Sequence, residues 1–321
     1  MNGFFSWINC GTPEQQKKKL ITAYALAAVA VLLVICLLTL AVMGIVTSIK
    51  NKKIENEPEE TVDPTRGYVT TTFAENQLHS GNLLIIDETH PYVAEANSGV
   101  QTKSFGESRT KVDGNNIYYA SNQYFDVNAD AMDALNKLVI DFYNNAKDSS
   151  GNLYNDTNIY LENIQYGNTF TFKYYATIKG ENGAAETTFA KINENEKYDW
   201  IYENAYKYGF VQLYSAPEAN TAEGAETATD NSNIFRYVGE IHSNIMKDKK
   251  CETLSEYLEL LKTKTNFKTH FRVTVDKVTY ETDYLAQGGE LLVPEKYKDS
   301  YTVSGNNMDG YIVTVCTTTS K

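Results

Sequence analysis

Histidine and cysteine are scarce in this chain, which has four of each among its 321 residues. Four cysteines are too few for a dense disulfide scaffold, and four histidines leave little material for a metal site built on imidazole. Basic residues are also in the minority, since 29 lysines and arginines stand against 41 aspartates and glutamates and give a formal charge of −12. This balance excludes nucleic acid as the main partner, because phosphate binding needs a basic face.

Several common enzyme signatures are missing as well. The sequence contains no glycine-rich phosphate loop, no G-x-S-x-G elbow, no H-E-x-x-H pair and no C-x-x-C pair. The usual phosphate, serine-hydrolase and zinc centres therefore have no starting motif here. What the chain does have is 42% apolar residues and 24 tyrosines, a composition that excludes a wholly disordered protein.

Charged residues are absent between Lys19 and Lys50. About 20 apolar residues cross a bilayer as a helix, so this run predicts a transmembrane anchor at 20–49. The run is longer than the apolar part of a cleaved signal peptide, and we expect it to be retained. Lysines flank both ends equally, so charge does not orient the helix. The short segment 1–19 favours a cytoplasmic tail with the large C-terminal part outside the membrane.

The charge divides unequally at this anchor. Residues 1–53 carry six lysines and one glutamate, whereas residues 54–321 carry 23 basic and 40 acidic residues. The predicted exported part is therefore the strongly acidic one. Residues 50–76 combine prolines with a cluster of acids and few large aliphatic side chains, which predicts a linker.

Periodic apolar residues predict helices beyond the linker. A helix is expected at 129–147, where apolar side chains recur at alternating spacings of three and four and Asn128 or Asp126 is a suitable N-cap. A second helix is expected at 200–208, with Gly209 in the left-handed position after its end. Two further helices are predicted around Val238–Ile245 and, from the capping box T-L-S-E, at 253–261.

Strand signals lie between these helices and dominate the end of the chain. Short strands are predicted at 82–86, 158–161 and 169–178, the last reading TFTFKYYATI. From residue 263 the pattern is β throughout, with a hairpin loop at 304–310. The order of elements predicts an α+β fold, with a domain at 77–262 and a small C-terminal β subdomain at 263–321.

Two segments of the chain resemble a known family. Residues 200–210 read WIYENAYKYGF and residues 235–239 read FRYVG. In this order they resemble the W-L-x-E-N-A-x-K-Y-G-F helix and the E-P-W-H-F-R-Y-V-G strand of the VanY-type D-alanyl-D-alanine carboxypeptidases, zinc enzymes that trim peptidoglycan stem peptides. Residues 82–92 are similar to the family's opening strand and turn. The resemblance implies the family's mixed domain, with an antiparallel sheet, and a bacterial cell surface as its location.

The resemblance also implies a zinc site, but the matching positions carry other residues. The family's ligands are the histidine and aspartate of S-x-H-x-x-G-x-A-x-D and the histidine of E-P-W-H, whose glutamate is the base. Aligned on the retained F-R-Y-V-G segment, the second histidine falls on Ile234 and the glutamate on Asn231. Aligned on the end of TFTFKYYATI, the first histidine falls on Phe170 and the aspartate on Thr177. The family's substrate-binding arginine has no counterpart in 158–165.

These four residues are unsuited to the family's chemistry. Phenylalanine and isoleucine have no donor atom, threonine is a poor zinc ligand, and a neutral asparagine cannot act as a carboxylate base. We therefore expect no metal and no cofactor. The four histidines are expected to be surface or satisfied structural side chains; they are His79, His90, His242 and His270. Cys251 and Cys316 either form a disulfide or stay as free thiols.

Three functions follow from these expectations. The first is a membrane-anchored pseudoenzyme that binds a peptidoglycan fragment or a cell-envelope protein without cleaving it. The second is an active zinc D,D-carboxypeptidase whose motif lies elsewhere, and the third is a structural surface-interaction domain. Tyrosines supply either stacking surfaces for such a ligand or core residues with solvated hydroxyls; they include Tyr118, Tyr119, Tyr174, Tyr175, Tyr198, Tyr202, Tyr206 and Tyr208.

Overall fold

A computed structural model describes residues 12, 14, 18, 67–180, 184–213, 231–266 and 268–318. The chain divides into two compact units, Met1–Glu60 and Thr61–Lys321. The predicted anchor at 20–49, and all but three residues of the predicted tail at 1–19, lie outside the described residues. Among the residues that are described, no helix is long and apolar enough to cross a membrane.

The second unit is a mixed α+β structure, as predicted. Its strands are β1 (Tyr68–Thr71), β2 (Thr102–Ser104), β3 (Lys111–Val112), β4 (Asn115–Asn116), β5 (Tyr118–Ala120), β6 (Asp126–Asn128), β7 (Ile159–Gln165), β8 (Thr169–Lys179), β9 (Ala185–Lys191), β10 (Phe210–Gln212), β11 (Ile234–Tyr237), β12 (Phe271–Val275), β13 (Val278–Ala286), β14 (Leu291–Pro294), β15 (Tyr301–Gly305) and β16 (Gly310–Cys316). Its helices are α1 (Phe105–Ser108), α2 (Ala129–Asn145), α3 (Asp199–Asn204), α4 (Glu240–Lys249) and α5 (Leu254–Lys264).

A central sheet has the order β10-β11-β8-β7-β5, with β9 paired to the distal half of β8. All neighbours are antiparallel except β5 and β7, which run parallel. Side chains alternate between the two faces of each strand. The inner face packs into the main core; its members include Tyr118, Ile159, Leu161, Phe170 and Phe172. The outer face carries the residues between these, among them Tyr119, Tyr160, Thr171, Lys173 and Tyr175.

Helix α2 covers the inner face of this sheet. Asn128 caps it, since its side chain accepts a hydrogen bond from the backbone N–H of Asp130 at 3.1 Å. The predicted apolar stripe is buried in the main core, and it comprises Met132, Leu135, Val139, Phe142 and Ala146. The helix prediction and the choice of Asn128 as one of its two candidate caps are therefore confirmed.

The predicted helix at 200–208 is present in two parts. Helix α3 is followed by a tighter turn over Ala205–Tyr208, and the chain then reverses at Gly209, whose φ is 88°. A side chain would be strained there, because a Cβ would lie 2.7 Å from the ring of Tyr237. The left-handed glycine predicted for this position is confirmed, and it directs the chain into β10.

Helices α4 and α5 belong to a second core with the C-terminal sheet. That sheet has the order β12-β13-β16-β15, and the predicted hairpin loop lies between its last two strands. Helix α5 begins with the predicted capping box, in which Thr253 accepts from the N–H of Glu256 at 3.2 Å. Leu254, Tyr257, Leu258 and Leu261 are buried against α4 and the sheet. The β-rich C-terminal region is thus confirmed.

One predicted strand and one predicted linker differ from the structure. Residues 82–86 join no sheet. Their backbone bonds mostly to side chains: the N–H of Leu83 donates to the hydroxyl of Ser304 at 3.0 Å, and the carbonyl of Leu84 accepts from Arg236. The N–H of Ile85 donates to the backbone carbonyl of Asn306 at 3.0 Å. The C-terminal part of the predicted linker 50–76 contains β1, which pairs with β14 along its whole length. Apolar runs and acidic composition do not reveal such long-range partners. Cys251 and Cys316 are both free thiols.

Candidate functional site

The retained F-R-Y-V-G segment forms β11, next to β8 in the central sheet. In this antiparallel register Phe235 lies opposite Phe170, and Ile234 lies opposite Thr171. Residues opposite each other in a ladder share a face, and consecutive residues alternate. Phe170 therefore points to the inner face, whereas Ile234 points to the outer face. The two positions that match the family's histidines are neighbours in the sheet but lie on opposite sides of it.

Phe170 is a core residue. Its side chain is completely buried, and its ring meets that of Phe210 edge-on at a centroid distance of 5.6 Å. On the same inner face, Phe172 of β8 and Phe235 of β11 make a second edge-on contact at 5.5 Å. Such contacts add to the burial of the rings. Position 170 therefore contributes to stability through apolar packing.

Thr177 is remote from both histidine-matching positions. Strand β8 runs without interruption from Thr169 to Lys179, and Thr177 lies opposite Thr187 of β9 near its exposed end. With a rise of about 3.3 Å per residue, the seven residues from Phe170 to Thr177 span about 23 Å. A zinc ion binds all its ligands at about 2 Å, so no single ion could contact both positions.

Asn231 precedes a turn that leads into β11. Its carbonyl accepts from the N–H of Ile234 at 3.0 Å. The next two residues are buried and hydrogen-bonded: Asn193 donates to the hydroxyl of Ser232 at 2.9 Å, and the amide of Asn233 donates to the carbonyl of Phe172 at 2.7 Å. Neutral amides and hydroxyls hold this turn in the place where the resemblance implies a base and a ligand.

The four positions thus do not fit a zinc ion. They supply two hydrocarbon side chains, one hydroxyl and one amide, and the sheet distributes them over two faces and more than half the length of β8. In the described part of the chain there is also no group of three histidine, cysteine or acidic side chains arranged to hold a metal. The carboxypeptidase chemistry implied by the resemblance has no visible centre among these residues.

The four histidines each have a local partner. The ring Nδ1 of His79 lies 2.6 Å from Oδ1 of Asn307, and that of His90 lies 3.0 Å from Asp87. His270 lies 2.5 Å from Asp283. Burial alone lowers the pKa of His242 to about 4, so this ring is neutral and hydrogen-bonds Tyr257 at 2.9 Å. The expectation of structural or surface histidines is confirmed.

Arg236 links the F-R-Y-V-G segment to its neighbours. Its side chain is buried, Nε donates to the hydroxyl of Thr169 at 2.9 Å, and Nη1 donates to the carbonyl of Leu84 at 2.7 Å. The arginine therefore fastens the extended segment 82–86 to β8 and β11. Buried charge-assisted hydrogen bonds are costly to break, since each loss leaves a buried acceptor unsatisfied. This residue has an architectural role, and the sequence motif alone indicated its position.

The sequence predictions missed an aromatic group on the outer face of the sheet. Tyr119, Tyr160, Tyr175 and Phe189 come from β5, β7, β8 and β9, and their rings lie within 4.3–6.0 Å of one another in successive pairs. Only Tyr119 and Tyr175 were singled out from the sequence. We call these four residues the aromatic platform. Cross-strand pairing was the missing signal, because Tyr119 lies opposite Tyr160 and Tyr175 opposite Phe189.

Other tyrosines predicted as stacking candidates belong to the core. Tyr118 and Tyr198 are fully buried, and burial raises the pKa of both phenols far above the usual value. The hydroxyl of Tyr198 donates to Asp156 at 3.1 Å, and Asp156 also forms an ion pair with Lys197. The hydroxyl of Tyr208 donates to Asp141 at 2.6 Å. For these three residues the structural alternative is confirmed.

Comparisons with known proteins show similarity to a D-alanyl-D-alanine carboxypeptidase and to a D,D-dipeptidase. No protein-family model matches it. A curated D-alanyl-D-alanine carboxypeptidase from Enterococcus faecium is 29% identical over 250 residues, which cover 76% of this chain and 78% of that protein. The solved structure of the vancomycin-resistance D,D-dipeptidase VanXYg, in complex with a D-Ala-D-Ala phosphinate analogue, matches 78% of this chain and 99% of its own. That match has a TM-score of 0.51 at 17% identity and concerns the fold.

The two comparisons agree with the two sequence segments that carry the resemblance. Both extend over about three quarters of the chain, well beyond residues 200–210 and 235–239. The mixed architecture of the second unit, with its antiparallel pairings, is consistent with them. The sequence similarity to a D-alanyl-D-alanine carboxypeptidase and the similarity of fold to a D,D-dipeptidase both support the resemblance to the VanY-type family.

Proposed function

We propose that this protein is a membrane-anchored, extracytoplasmic member of the carboxypeptidase-like group that binds peptidoglycan stem peptides without hydrolysing them. The observation that carries the proposal is that the chain is similar in sequence to an enzyme but lacks suitable residues at the positions matched to its catalytic site. The chain is 29% identical to a D-alanyl-D-alanine carboxypeptidase, yet the positions matched to the zinc ligands and base hold Phe170, Thr177, Ile234 and Asn231. Fold kinship alone does not determine activity, so the residues at the site must decide.

Loss of hydrolysis follows from the chemistry that these enzymes need. A catalytic zinc ion takes three donor side chains and leaves one position for water, and a base removes a proton from that water. Phe170 is inside the core and Ile234 offers only methyl groups. Filling such positions with hydrocarbon is more stable than leaving a half-built polar site. These substitutions favour a domain in which recognition continues after catalysis has been lost.

An active enzyme is the second candidate, and the degree of identity to the Enterococcus protein favours it. The described residues form no three-ligand cluster. An active centre would therefore have to recruit side chains other than the four aligned ones. Zinc content and product release distinguish the two candidates directly.

The test uses the purified full-length chain. Metal analysis after incubation with zinc should find no stoichiometric ion, and a pentapeptide ending in D-Ala-D-Ala should release no D-alanine. The same peptide should still shift resonances of the domain in an NMR titration, whereas a matched peptide ending in L-Ala-L-Ala should not. One bound zinc per chain with D-alanine release would contradict the proposal of inactivity. No response to either peptide at millimolar concentration would contradict peptide binding and favour a structural domain.

Anchoring needs a separate measurement. A variant that keeps only Cys251 among its four cysteines should fractionate with membranes. After denaturation, a thiol reagent that cannot cross membranes should label it from outside the cell. A thiol that stays inaccessible from outside, while permeabilised cells are labelled, would place the domain on the other side.

A further inference from the structure

The aromatic platform has the geometry of a binding surface. The ring centroids of Tyr160 and Phe189 are 4.3 Å apart, those of Tyr175 and Phe189 4.9 Å, and those of Tyr160 and Tyr175 5.3 Å. Tyr119 extends the group at 6.0 Å from Tyr175. Four adjacent strands supply one ring each, so the positions are fixed by sheet register. The ring planes are tilted by 34–75° to one another, so the surface is contoured rather than flat. A preformed surface binds ligands with little loss of side-chain entropy.

This surface is accessible on its outer side. Phe189 is 43% exposed, and the three tyrosines are half-buried. The alternate residues of the same strands, such as Ile159 and Phe172, fill the core on the opposite side of the sheet. Among the described residues, the hydroxyls of Tyr160 and Tyr175 have no hydrogen-bond partner. The platform therefore offers apolar ring faces together with free hydroxyl groups.

A cation lies at one edge of the platform. The guanidinium carbon of Arg109 is 5.4 Å from the ring centre of Tyr119 and 5.9 Å from that of Phe105. Its Nη1 makes a long contact of 3.5 Å with the carbonyl of Tyr118, and its buried Nε has no acceptor. In the part of the chain that the structure describes, no carboxylate lies within ion-pair distance of Arg109. The charge and several donors of this arginine are left for a ligand.

The outer face also carries lysines. Lys173 forms an ion pair with Glu162 of β7, and Lys191 lies opposite Lys173 in the register of β8 and β9. Arg109 is the cation next to the Tyr119 ring, in a chain with a formal charge of −12. A nucleic acid or polyphosphate needs an extended basic face, which this acidic balance disfavours. A ligand with a single carboxylate matches the arginine, whose planar fork binds that group in a bidentate manner.

We infer that the aromatic platform binds a pyranose ring that carries a carboxylate, with the sugar packed against the tilted rings of Tyr160, Tyr175 and Phe189 and the carboxylate directed to Arg109. The C–H groups on one face of a pyranose are apolar and fit an aromatic ring, while its hydroxyls match the free tyrosine hydroxyls. This inference goes beyond the proposed function, because a sugar whose carboxylate is free carries no stem peptide at that group. It is tested with sugars that carry no peptide.

The matched probes are N-acetylmuramic acid and N-acetylglucosamine, which differ by one carboxylate-bearing ether. NMR titration of the full-length chain should give binding of the acidic sugar about tenfold tighter than of the neutral one, the scale of one charge-assisted hydrogen bond at a partly exposed site. Arg109→Gln should abolish this preference and leave the weaker, neutral binding. Phe189→Ala should weaken both sugars by about tenfold or more, and because Phe189 is 43% exposed, its loss leaves the core filled.

Tyr124→Ala is the control, since Tyr124 is 75% exposed and outside the platform. It should bind both sugars as the parent chain does, and circular dichroism should be the same for all variants. Absence of binding by the parent chain, or an unchanged preference in Arg109→Gln, would overturn the inference. Binding of the stem peptide without binding of the sugars would contradict the inference that the platform binds a sugar and would leave the proposed function unaffected. Binding of the sugars without the stem peptide would instead count against the proposed function and leave the platform intact.

Discussion

Acidification should destabilise this domain through one half-buried histidine. His242 lies on α4, with Nδ1 2.9 Å from the hydroxyl of Tyr257 and Nε2 3.4 Å from that of Thr314. Burial lowers its pKa from 6.5 to about 4. The unfolded chain therefore takes up a proton near pH 6.5, whereas the folded domain takes it up only near pH 4. The stability that neutral His242 maintains is complete above pH 6.5 and is lost as the pH falls towards 4.

The magnitude follows from the width of this window. Each pKa unit corresponds to about 1.4 kcal/mol, so a shift of this size amounts to about 3 kcal/mol between pH 7 and pH 4. That is a large fraction of the stability of an ordinary domain, which is about 5–15 kcal/mol. No charged neighbour contributes to the shift, which comes from burial. The effect should therefore depend little on salt concentration.

Urea unfolding of the parent chain and of His242→Asn, at several pH values from 7 to 4, measures the effect. Asparagine does not titrate and retains a polar atom near the hydroxyl of Tyr257. All other groups titrate in both proteins, so the difference between the two curves isolates the histidine. The parent should lose about 3 kcal/mol more than the variant over this range. Parallel pH dependences would refute the assignment of a neutral imidazole with a lowered pKa.

Three further variants test the fold and the site. Gly209→Ala should destabilise by about 1–3 kcal/mol in urea unfolding, because its φ of 88° and the ring of Tyr237 leave no place for a Cβ; an unchanged midpoint would contradict this. Thr253→Ala should cost about 1 kcal/mol by the same assay, with Thr253→Ser as the control that keeps the cap. Phe170→His combined with Ile234→His should not create a zinc site, since the two positions face opposite sides of the sheet; stoichiometric zinc in calorimetry would show otherwise.

Helices were the most predictable part of this fold because their signals are local. The cap at Asn128, the stripe of α2, the glycine at 209 and the box at Thr253 each depend on residues within a few positions. Such short-range patterns are sufficient to define where a helix begins and ends. The segment 82–86 has an equally clear apolar run, yet it pairs with no strand, because its partners are side chains and one loop carbonyl that are far away in sequence.

The candidate site was less predictable for the same reason. The sequence correctly located β11, but aligning residues to a motif gives no information on which face of a sheet they occupy. Phe170 and Ile234 are separated by register, and Thr177 is separated by the uninterrupted length of β8. The aromatic platform shows the reverse case, in which residues distant in sequence come together. Its members lie on β5, β7, β8 and β9, and strand pairing brings them side by side. A single sequence contains no direct record of such pairing.

The pairing of β1 with β14 has a consequence for how this protein is made. Tyr68 lies opposite Pro294, Leu83 is held by Ser304, and Leu78 accepts a hydrogen bond from the N–H of Asn307. The first residues of the folded unit therefore cannot form these contacts until residues 291–307 have left the ribosome. Contacts so distant in sequence close slowly, and the intervening chain must remain soluble meanwhile. We expect the final compaction of the domain to be a late event that follows release of the C-terminal strands.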